Sequence, residues 1–303
     1  LKYFFKEVNA LSSYIIEGGR KLAGEIDISG SKNAALPIMA ATILNKGVTV
    51  IKNIPNIRDV KMMCSILEVL GCTVKKEKNK VIVDATNVNN CEIPENLMRE
   101  MRSSVIIAGA LIGRLHECKF TYPGGCEIGA RPINLHLEAF EQLGVQIEEK
   151  NGYINCTSSK LEGTEIVLDF PSVGATENIM LASVFAEGET RIKNVAREPE
   201  IKNLQDFLNS MGANIKGAGT DIIRIKGVTR LHKTEYTIIP DQIEAGTFMF
   251  AAAVTKGDIT VKNVIPKHLE SITAKLIEIG CEVEASDDAV RVVASKPLNH
   301  THV

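Results

Sequence analysis

Several protein classes are excluded by what this sequence lacks. Its seven cysteines include no CxxC pair, and no group of His, Cys and Asp has metal-ligand spacing. An odd cysteine count without a disulfide framework fits a reducing compartment, so a cytoplasmic protein is expected. No apolar run reaches the roughly 18 residues that a membrane-spanning helix requires. Formal net charge is −2 with Lys and Arg dispersed, which leaves no nucleic-acid footprint. The densest basic run, Lys75-Lys76-Glu77-Lys78-Asn79-Lys80, fits a solvated hairpin tip. The opening Leu1–Lys6 is too short for a signal-peptide core, and residues 1–13 are expected to be a tail. What is present is core: 303 residues at 45% hydrophobic content are enough for about two domains.

The stronger signal is repetition. Leu70-Gly71-Cys72, Leu143-Gly144-Val145, Met211-Gly212-Ala213 and Ile279-Gly280-Cys281 recur at intervals of 68 to 73 residues. Lys52-Asn53-Ile54, Lys193-Asn194-Val195 and Lys262-Asn263-Val264 form a second, matching marker. Each unit predicts helix, strand, helix, then a β-hairpin. In the first, Lys32–Leu44 is helical behind Gly30-Ser31, where Ser caps the free amides. Val48–Ile54 follows as a strand and Arg58–Leu70 as a second helix, stopped by Gly71 as a C′ glycine. The corresponding first helices are Met101–Gly113, Ser172–Ala186 and Gln242–Thr255; the second helices are Ile133–Leu143, Glu200–Met211 and Leu269–Ile279.

Ser103–Ala110 and Phe248–Val254 are apolar almost all round and belong inside, with sheets outside. Hairpins within strand–helix alternation require mixed sheets, so the fold class is α/β, in the α+β sense of mixed pairing. Three such units around buried helices make a pseudo-threefold domain. A fourth unit is left over.

The second unit departs from the pattern. It takes four more residues than the first or third between strand end and terminal glycine, all within Pro123–Pro132. The stretch from Pro123 to His136 holds three glycines and two prolines and has no apolar period, so it predicts a loop. Cys126 in its middle fits either an incidental surface thiol or an accessible thiolate and proton donor near Arg131. An insertion confined to one repeat favours the functional alternative.

These residues carry a resemblance. Ser31-Lys32-Asn33-Ala34-Ala35-Leu36-Pro37, the Pro-Gly-Gly-Cys…Gly-Ala-Arg-Pro loop, Ser172-Val173-Gly174-Ala175-Thr176 and Arg197-Glu198-Pro199-Glu200-Ile201 are similar to those of the UDP-N-acetylglucosamine 1-carboxyvinyltransferases. The resemblance runs from about Tyr14 to the end. It implies the enolpyruvyl transferase fold, an inside-out α/β barrel of two three-unit domains with the site between them. Residues 14–31 then form a strand crossing to the second domain. Residues 32–237 make the complete three-repeat domain, and 238–303 the first repeat of an incomplete second one. On this reading the chain matches about two-thirds of a family member, ends before the family's aspartate base, and is expected to be inactive alone.

The implied substrates are phosphoenolpyruvate and UDP-N-acetylglucosamine, with no cofactor or metal and with oligomeric state open. Cys126 resembles the family's proton-donating thiol, which forms a covalent adduct with phosphoenolpyruvate. Lys32, Arg102 and Arg131 resemble the contacts to anionic substrate groups, and Asn33 a contact to phosphoenolpyruvate. Arg131, Pro132, Ile133, Asn134 and Leu135, together with Ser172, Val173 and Gly174, resemble the nucleotide contacts. Asn134 stands where the family usually has Asp. Glu198, Glu200, Asp241 and Glu244 are expected to favour helix N-termini, and His136 either orients the loop or packs. The alternatives are a shikimate-pathway enolpyruvyl transferase, which should lack the cysteine loop, and a non-catalytic nucleotide-sugar binding protein.

Overall fold

The computed structural model describes residues 18–124 and 132–301. Ahead of the first unit lies β1 (Ala23–Asp27), followed by α1 (Lys32–Ala41), β2 (Val48–Lys52), α2 (Arg58–Val69), β3 (Thr73–Glu77) and β4 (Lys80–Asp84). The second unit opens with a short helix, α3 (Glu95–Glu100), and then a 3-10 stretch, Arg102–Ile106. It continues through α4 (Ile107–Leu115), β5 (Glu117–Thr121), α5 (Asn134–Gln142), β6 (Gln146–Lys150) and β7 (Tyr153–Thr157). The third contains β8 (Glu165–Val167), α6 (Val173–Ser183), β9 (Glu189–Lys193), α7 (Pro199–Ser210), β10 (Asn214–Lys216) and β11 (Ile222–Lys226). After β12 (Glu235–Thr237) the fourth adds α8 (Gln242–Thr255), β13 (Asp258–Lys262), α9 (Glu270–Glu278), β14 (Glu282–Ala285) and β15 (Ala289–Val293). The expected helix–strand–helix–hairpin order holds in all four. The first helix of the second unit differs from expectation: its opening turn is 3-10 and the α-helix starts only at Ile107.

The shared glycines and asparagines have a physical explanation. Gly71, Gly144, Gly212 and Gly280 all have φ between +92° and +103°, where a side chain would be strained. Each closes the same paired turn: Gly71 and Cys72 N–H donate to the Glu68 and Leu67 carbonyls, as Gly212 and Ala213 donate to Asn209 and Leu208. Asn53, Asn194 and Asn263 adopt left-handed φ of 55–59° at the strand ends. Their side-chain amides donate to the Ile238, Leu168 and Ile28 carbonyls at 3.1, 2.8 and 2.7 Å. Those carbonyls lie just past β12, β8 and β1, each a parallel edge strand of the unit's sheet. The repeated Lys-Asn pair is thus a latch for an added strand.

Four separate sheets result, of order β12-β2-β4-β3, β5-β7-β6, β8-β9-β11-β10 and β1-β13-β15-β14. Among the described residues no ring of strands closes into a barrel; the helices lie inside and the sheets cover them. Two chain segments change places. β12 follows the third unit yet extends the first unit's sheet, whereas β1 precedes the first unit yet extends the fourth's. Where they pass, Ser31 N–H donates to the Ile239 carbonyl and Asp241 N–H to the Ser29 carbonyl.

The buried apolar residues form two clusters. One runs from Ala34 to Ile238; the other joins Ile28 to Ala245–Ala294. Inside the larger cluster α4 packs on α1 and on α6. Small residues allow the α4–α6 approach: a Cβ on Gly109 would fall 2.4 Å from the Asn178 carbonyl oxygen, and one on Gly113 2.8 Å from that of Leu181.

Candidate active site

Three of the central helical segments begin at one end of the larger core. Ser31 and Ser172 cap α1 and α6, their hydroxyls accepting from Ala34 and Ala175 N–H at 3.3 Å. Such caps contribute about 1 kcal/mol each and leave other first-turn N–H groups pointing outward, suited to anions.

Lys32 is the first residue of α1. Its ammonium lies 3.4 Å from Asp59 Oδ2, with both side chains well exposed. A surface pair of this kind is worth at most about 1 kcal/mol, so an anionic ligand can readily displace it. The Lys32 N–H donates to Asp241 Oδ2 at 3.1 Å, while Asp241 Oδ1 accepts from Ile243 and Glu244 N–H at 2.8 and 2.9 Å. One carboxylate therefore caps α8 and reaches α1. Glu244 stands in the first turn of α8 as expected and also reaches across: its Oε2 accepts from Ser29 N–H and Oγ at 2.9 and 2.6 Å.

Asn33, half-buried, donates its amide to Glu200 Oε1 at 3.3 Å. Glu200 is only 5% exposed. It belongs to the first turn of α7 but faces inward, and burial raises its pKa above the ordinary carboxylate value. Beside it, Glu177 on α6 is buried; desolvation, then the charges of Glu200 and Glu198, push its pKa well up. Glu198 occupies the N-cap position of α7 with no side-chain cap bond.

Arg102 opens the 3-10 stretch before α4 and is half-buried. On α5, Asn134 is exposed and donates to Glu138 Oε1 at 3.3 Å. Pro132 is exposed, but Ile133 and Leu135 are buried in the larger core, so only their main chain can meet a ligand. Val173 and Gly174 are half-buried at the start of α6. His136 joins these segments: a Cβ on Gly174 would lie 3.2 Å from its Cε1, and Arg102 contributes to its lowered pKa. The structure thus brings Lys32 and Asn33 together with Glu200 and Asp241, and Arg102, His136 and Gly174 together beside them. Helix α6 reaches both groups: Gly174 lies against His136, and Glu177 interacts with Glu200.

Cys126 and Arg131 lie outside the described residues. The loop's last described residue before them, Gly124, donates its N–H to the Met98 carbonyl at 3.1 Å. It also lies so close to α3 that a Cβ would fall 2.4 Å from the Arg99 carbonyl oxygen. The remaining thiols are all held above the ordinary thiol range, chiefly by burial. Burial holds Cys72 at about 11 and Cys156 at about 12, and raises Cys64, Cys91, Cys118 and Cys281.

A cavity of about 820 Å³ lies elsewhere, between α7 and the α8–α9 region. Arg197, Lys202, Ile243, Phe250, Lys267 and His268 are among its lining residues; none of the expected site residues is. Among the described residues no group of His, Cys, Asp or Glu has the arrangement of a metal site. No described helix is long and apolar enough to cross a membrane.

Residues 16–303 match the family model described as EPSP synthase (3-phosphoshikimate 1-carboxyvinyltransferase). The chain is 53% identical over 286 residues to UDP-N-acetylglucosamine 1-carboxyvinyltransferase 2 of Caldanaerobacter subterraneus, covering 94% of this chain and 69% of that one. It belongs to this carboxyvinyltransferase family. A Clostridium botulinum UDP-N-acetylglucosamine 1-carboxyvinyltransferase is 50% identical over 93% of this chain and 68% of its own. Among solved structures, the enolpyruvyl transferase NikO of Streptomyces tendae superposes with TM-score 0.83 at 22% identity, over 93% of this chain and 68% of that one. EPSP synthase of Acinetobacter baumannii gives 0.73 at 18% identity, over 95% and 68%. The enolpyruvyl transferase fold expected from the sequence is therefore the fold observed.

Two features of the candidate site were missed in the sequence. Glu200 as the partner of Asn33, and Asn178 as the partner of His136, lie on other elements. The only available signal was a run of polar residues, Thr176-Glu177-Asn178, inside a helix otherwise destined for the core.

Proposed function

We propose that this chain acts in transfer of the enolpyruvyl group from phosphoenolpyruvate to the 3-hydroxyl of UDP-N-acetylglucosamine, with release of phosphate. This is the first committed step of cytoplasmic peptidoglycan synthesis. One observation carries the reading. The starts of α1 and α6, Lys32 and Arg102 stand at one end of the core of a chain about half identical to proteins named for that reaction. The shikimate alternative has less support, because relatives at that identity carry the UDP-sugar name while the likeness to EPSP synthase structures is 18% identical.

The chemistry is addition then elimination. The vinyl carbon of phosphoenolpyruvate gains a proton, the sugar hydroxyl gives its proton to a base as its oxygen bonds to the neighbouring carbon, and the adduct expels phosphate as a proton is withdrawn from the methyl carbon. Both substrates are anionic, so fixed cations and free N–H groups are what the site must supply. Lys32 and Arg131 would hold phosphate and carboxylate, Asn33 would orient phosphoenolpyruvate, and Cys126 would deliver the proton. Arg102 and the main chain of residues 131–135 and 172–174 would hold the nucleotide. Residues 32–237 form the nucleotide-holding domain. Residues 14–31 and 238–303 belong to the second, which faces it.

Isothermal titration tests the reading. UDP-N-acetylglucosamine should bind, shikimate 3-phosphate should not, and Arg102→Ala should weaken the former about tenfold or more, as expected for a charged hydrogen bond. Binding of shikimate 3-phosphate in preference would overturn it.

A further inference from the structure

Asn178 sits in the middle of α6 and is fully buried, and all its amide atoms are engaged. Its Oδ1 accepts from Gly109 N–H at 2.8 Å, and its Nδ2 donates to the Val105 carbonyl at 3.1 Å. In a regular helix Gly109 N–H and the Val105 carbonyl would bond to one another. Here the 3-10 stretch gives way to α4 at this point, and the Asn178 amide spans the opened rung. These two bonds fix the amide's orientation without ambiguity, because a main-chain N–H can only donate and a carbonyl can only accept. The second Nδ2 hydrogen then has one destination, His136 Nδ1 at 2.7 Å.

The consequence falls on the imidazole. An Nδ1 that accepts cannot carry the proton, so the neutral ring is the Nε2–H tautomer. That edge of the ring faces the start of α6: a Cβ on Gly174 would be 3.5 Å from Nε2. From this geometry we infer that Asn178 is a positioning residue, holding His136 as a neutral N–H donor toward the anionic ligand bound at Arg102 and residues 172–174. The inference rests on the nucleotide-sugar reading above for the ligand, though not for the tautomer.

The electrostatics agree. His136 is buried, and burial followed by the Arg102 charge lowers its pKa to about 4. Of the elements packed on the ring, α6 contributes Asn178 and Gly174, both uncharged, and the segment before α4 contributes Arg102. The nearest α6 carboxyl in sequence, Glu177, interacts with Glu200 and Glu198 instead. On α5 itself, Glu138 accepts from Asn134. Protonation would place a proton on Nδ1, against the Nδ2 hydrogen, so the ring stays neutral through the physiological range.

Asn178→Asp reverses the logic at nearly constant shape. A carboxylate can accept from Gly109 N–H but offers no hydrogen to His136, so Nδ1 must become the donor. Neutral His136 would then present a bare Nε2 lone pair to the anion, and the carboxylate would also favour the charged ring. The experiment is ring ¹⁵N NMR of the wild-type chain and Asn178→Asp from pH 5.5 to 8, with His136→Gln to assign the signal. In parallel, UDP-N-acetylglucosamine affinity is measured over the same range. Wild-type His136 should show the Nε2–H tautomer without titrating, and affinity should be flat with respect to this ring. Asn178→Asp should show Nδ1–H at pH 8, bind about ten- to hundredfold more weakly there, and recover as falling pH charges the ring. His136→Gln, whose amide N–H can stand in for Nε2–H, should bind better than His136→Ala.

An Nδ1–H ring in the wild type, or titration between pH 5.5 and 8, overturns the inference, and neither result depends on Asn178→Asp folding. So does an Asn178→Asp protein with wild-type ring signals and pH profile, the outcome expected if Asn178 only mends the helix. Expected ring signals with no UDP-sugar binding would support the tautomer assignment and overturn the functional reading.

Discussion

The second unit differs from the other three at its strand-to-helix turn. In the first, third and fourth units an asparagine ends the strand in left-handed backbone and ties down a parallel edge strand. In the second, Tyr122 stands there, 53% exposed with its hydroxyl donating to Glu149 Oε1 at 2.9 Å. Its edge strand shrinks to a single bridge, Glu92 to Lys119. Three units thus invest the strand-to-helix turn in stability. The fourth instance of that turn is given over to the inserted Cys126 loop, and the latch is what it gives up.

The largest expected effect of this contrast is chemical. Brief treatment with a small anionic epoxide of the fosfomycin type, followed by peptide mass mapping, should label Cys126 first. A thiol at about 11 is about 10⁻⁴ thiolate at pH 7, whereas an ordinary one is a few per cent, so the ratio against Cys72 should exceed about a hundredfold. First labelling at Cys64 or Cys156 would remove the special status of the second unit.

Next in size is the latch itself. Asn194→Ala removes the bond to the Leu168 carbonyl and leaves alanine in left-handed backbone, which together should cost about 2–3 kcal/mol in denaturant unfolding. Tyr122→Ala should change stability by less than about 0.5 kcal/mol, since the side chain is exposed and its hydroxyl bonds an exposed carboxylate. Equal losses would mean the asparagines are incidental.

The smallest effect should be one of pH. The folded pKa of Glu177 lies above its unfolded value, so the folded state binds the extra proton and the group's penalty grows as pH rises between the two. Below about pH 4.5 both states are protonated and the penalty vanishes. Glu177→Gln should therefore raise the melting temperature at pH 7–8, with the gain fading toward pH 4.5. A gain independent of pH would mean that the folded and unfolded pKa values coincide, so that burial does not act on this carboxyl.

Repetition was legible because it is written in residues with special backbone needs. The four C′ glycines and three latch asparagines can be located without knowing what they touch. Lys32 and Arg102 became candidates by the same register, since equivalent units place equivalent helix starts, whereas Asn33 and Ser172–Gly174 became candidates only through the family resemblance. By contrast β8 and β12 are three residues long, too short for any period, and α3 is a six-residue helix between loops. The polar cluster of α6 was hidden for another reason. A buried Asn or Glu is defined by its partners, and Gly109, His136 and Glu200 come from three other elements. His136 illustrates the limit: orienting and packing looked equivalent in the sequence, and only the amide opposite its Nδ1 separates them.

The carboxylate of Asp241 also ties the two clusters at the level of helix ends. It caps α8 in the smaller cluster while accepting from the first residue of α1 in the larger. The two chain crossings run alongside, bonded to each other. Any motion that drew the clusters apart here would leave Asp241 on α8 as its cap while baring the Lys32 N–H and taking a negative charge away from the start of α1. The same act that loosens the pivot therefore sharpens the positive field at α1, so opening and charge attraction are coupled through one side chain.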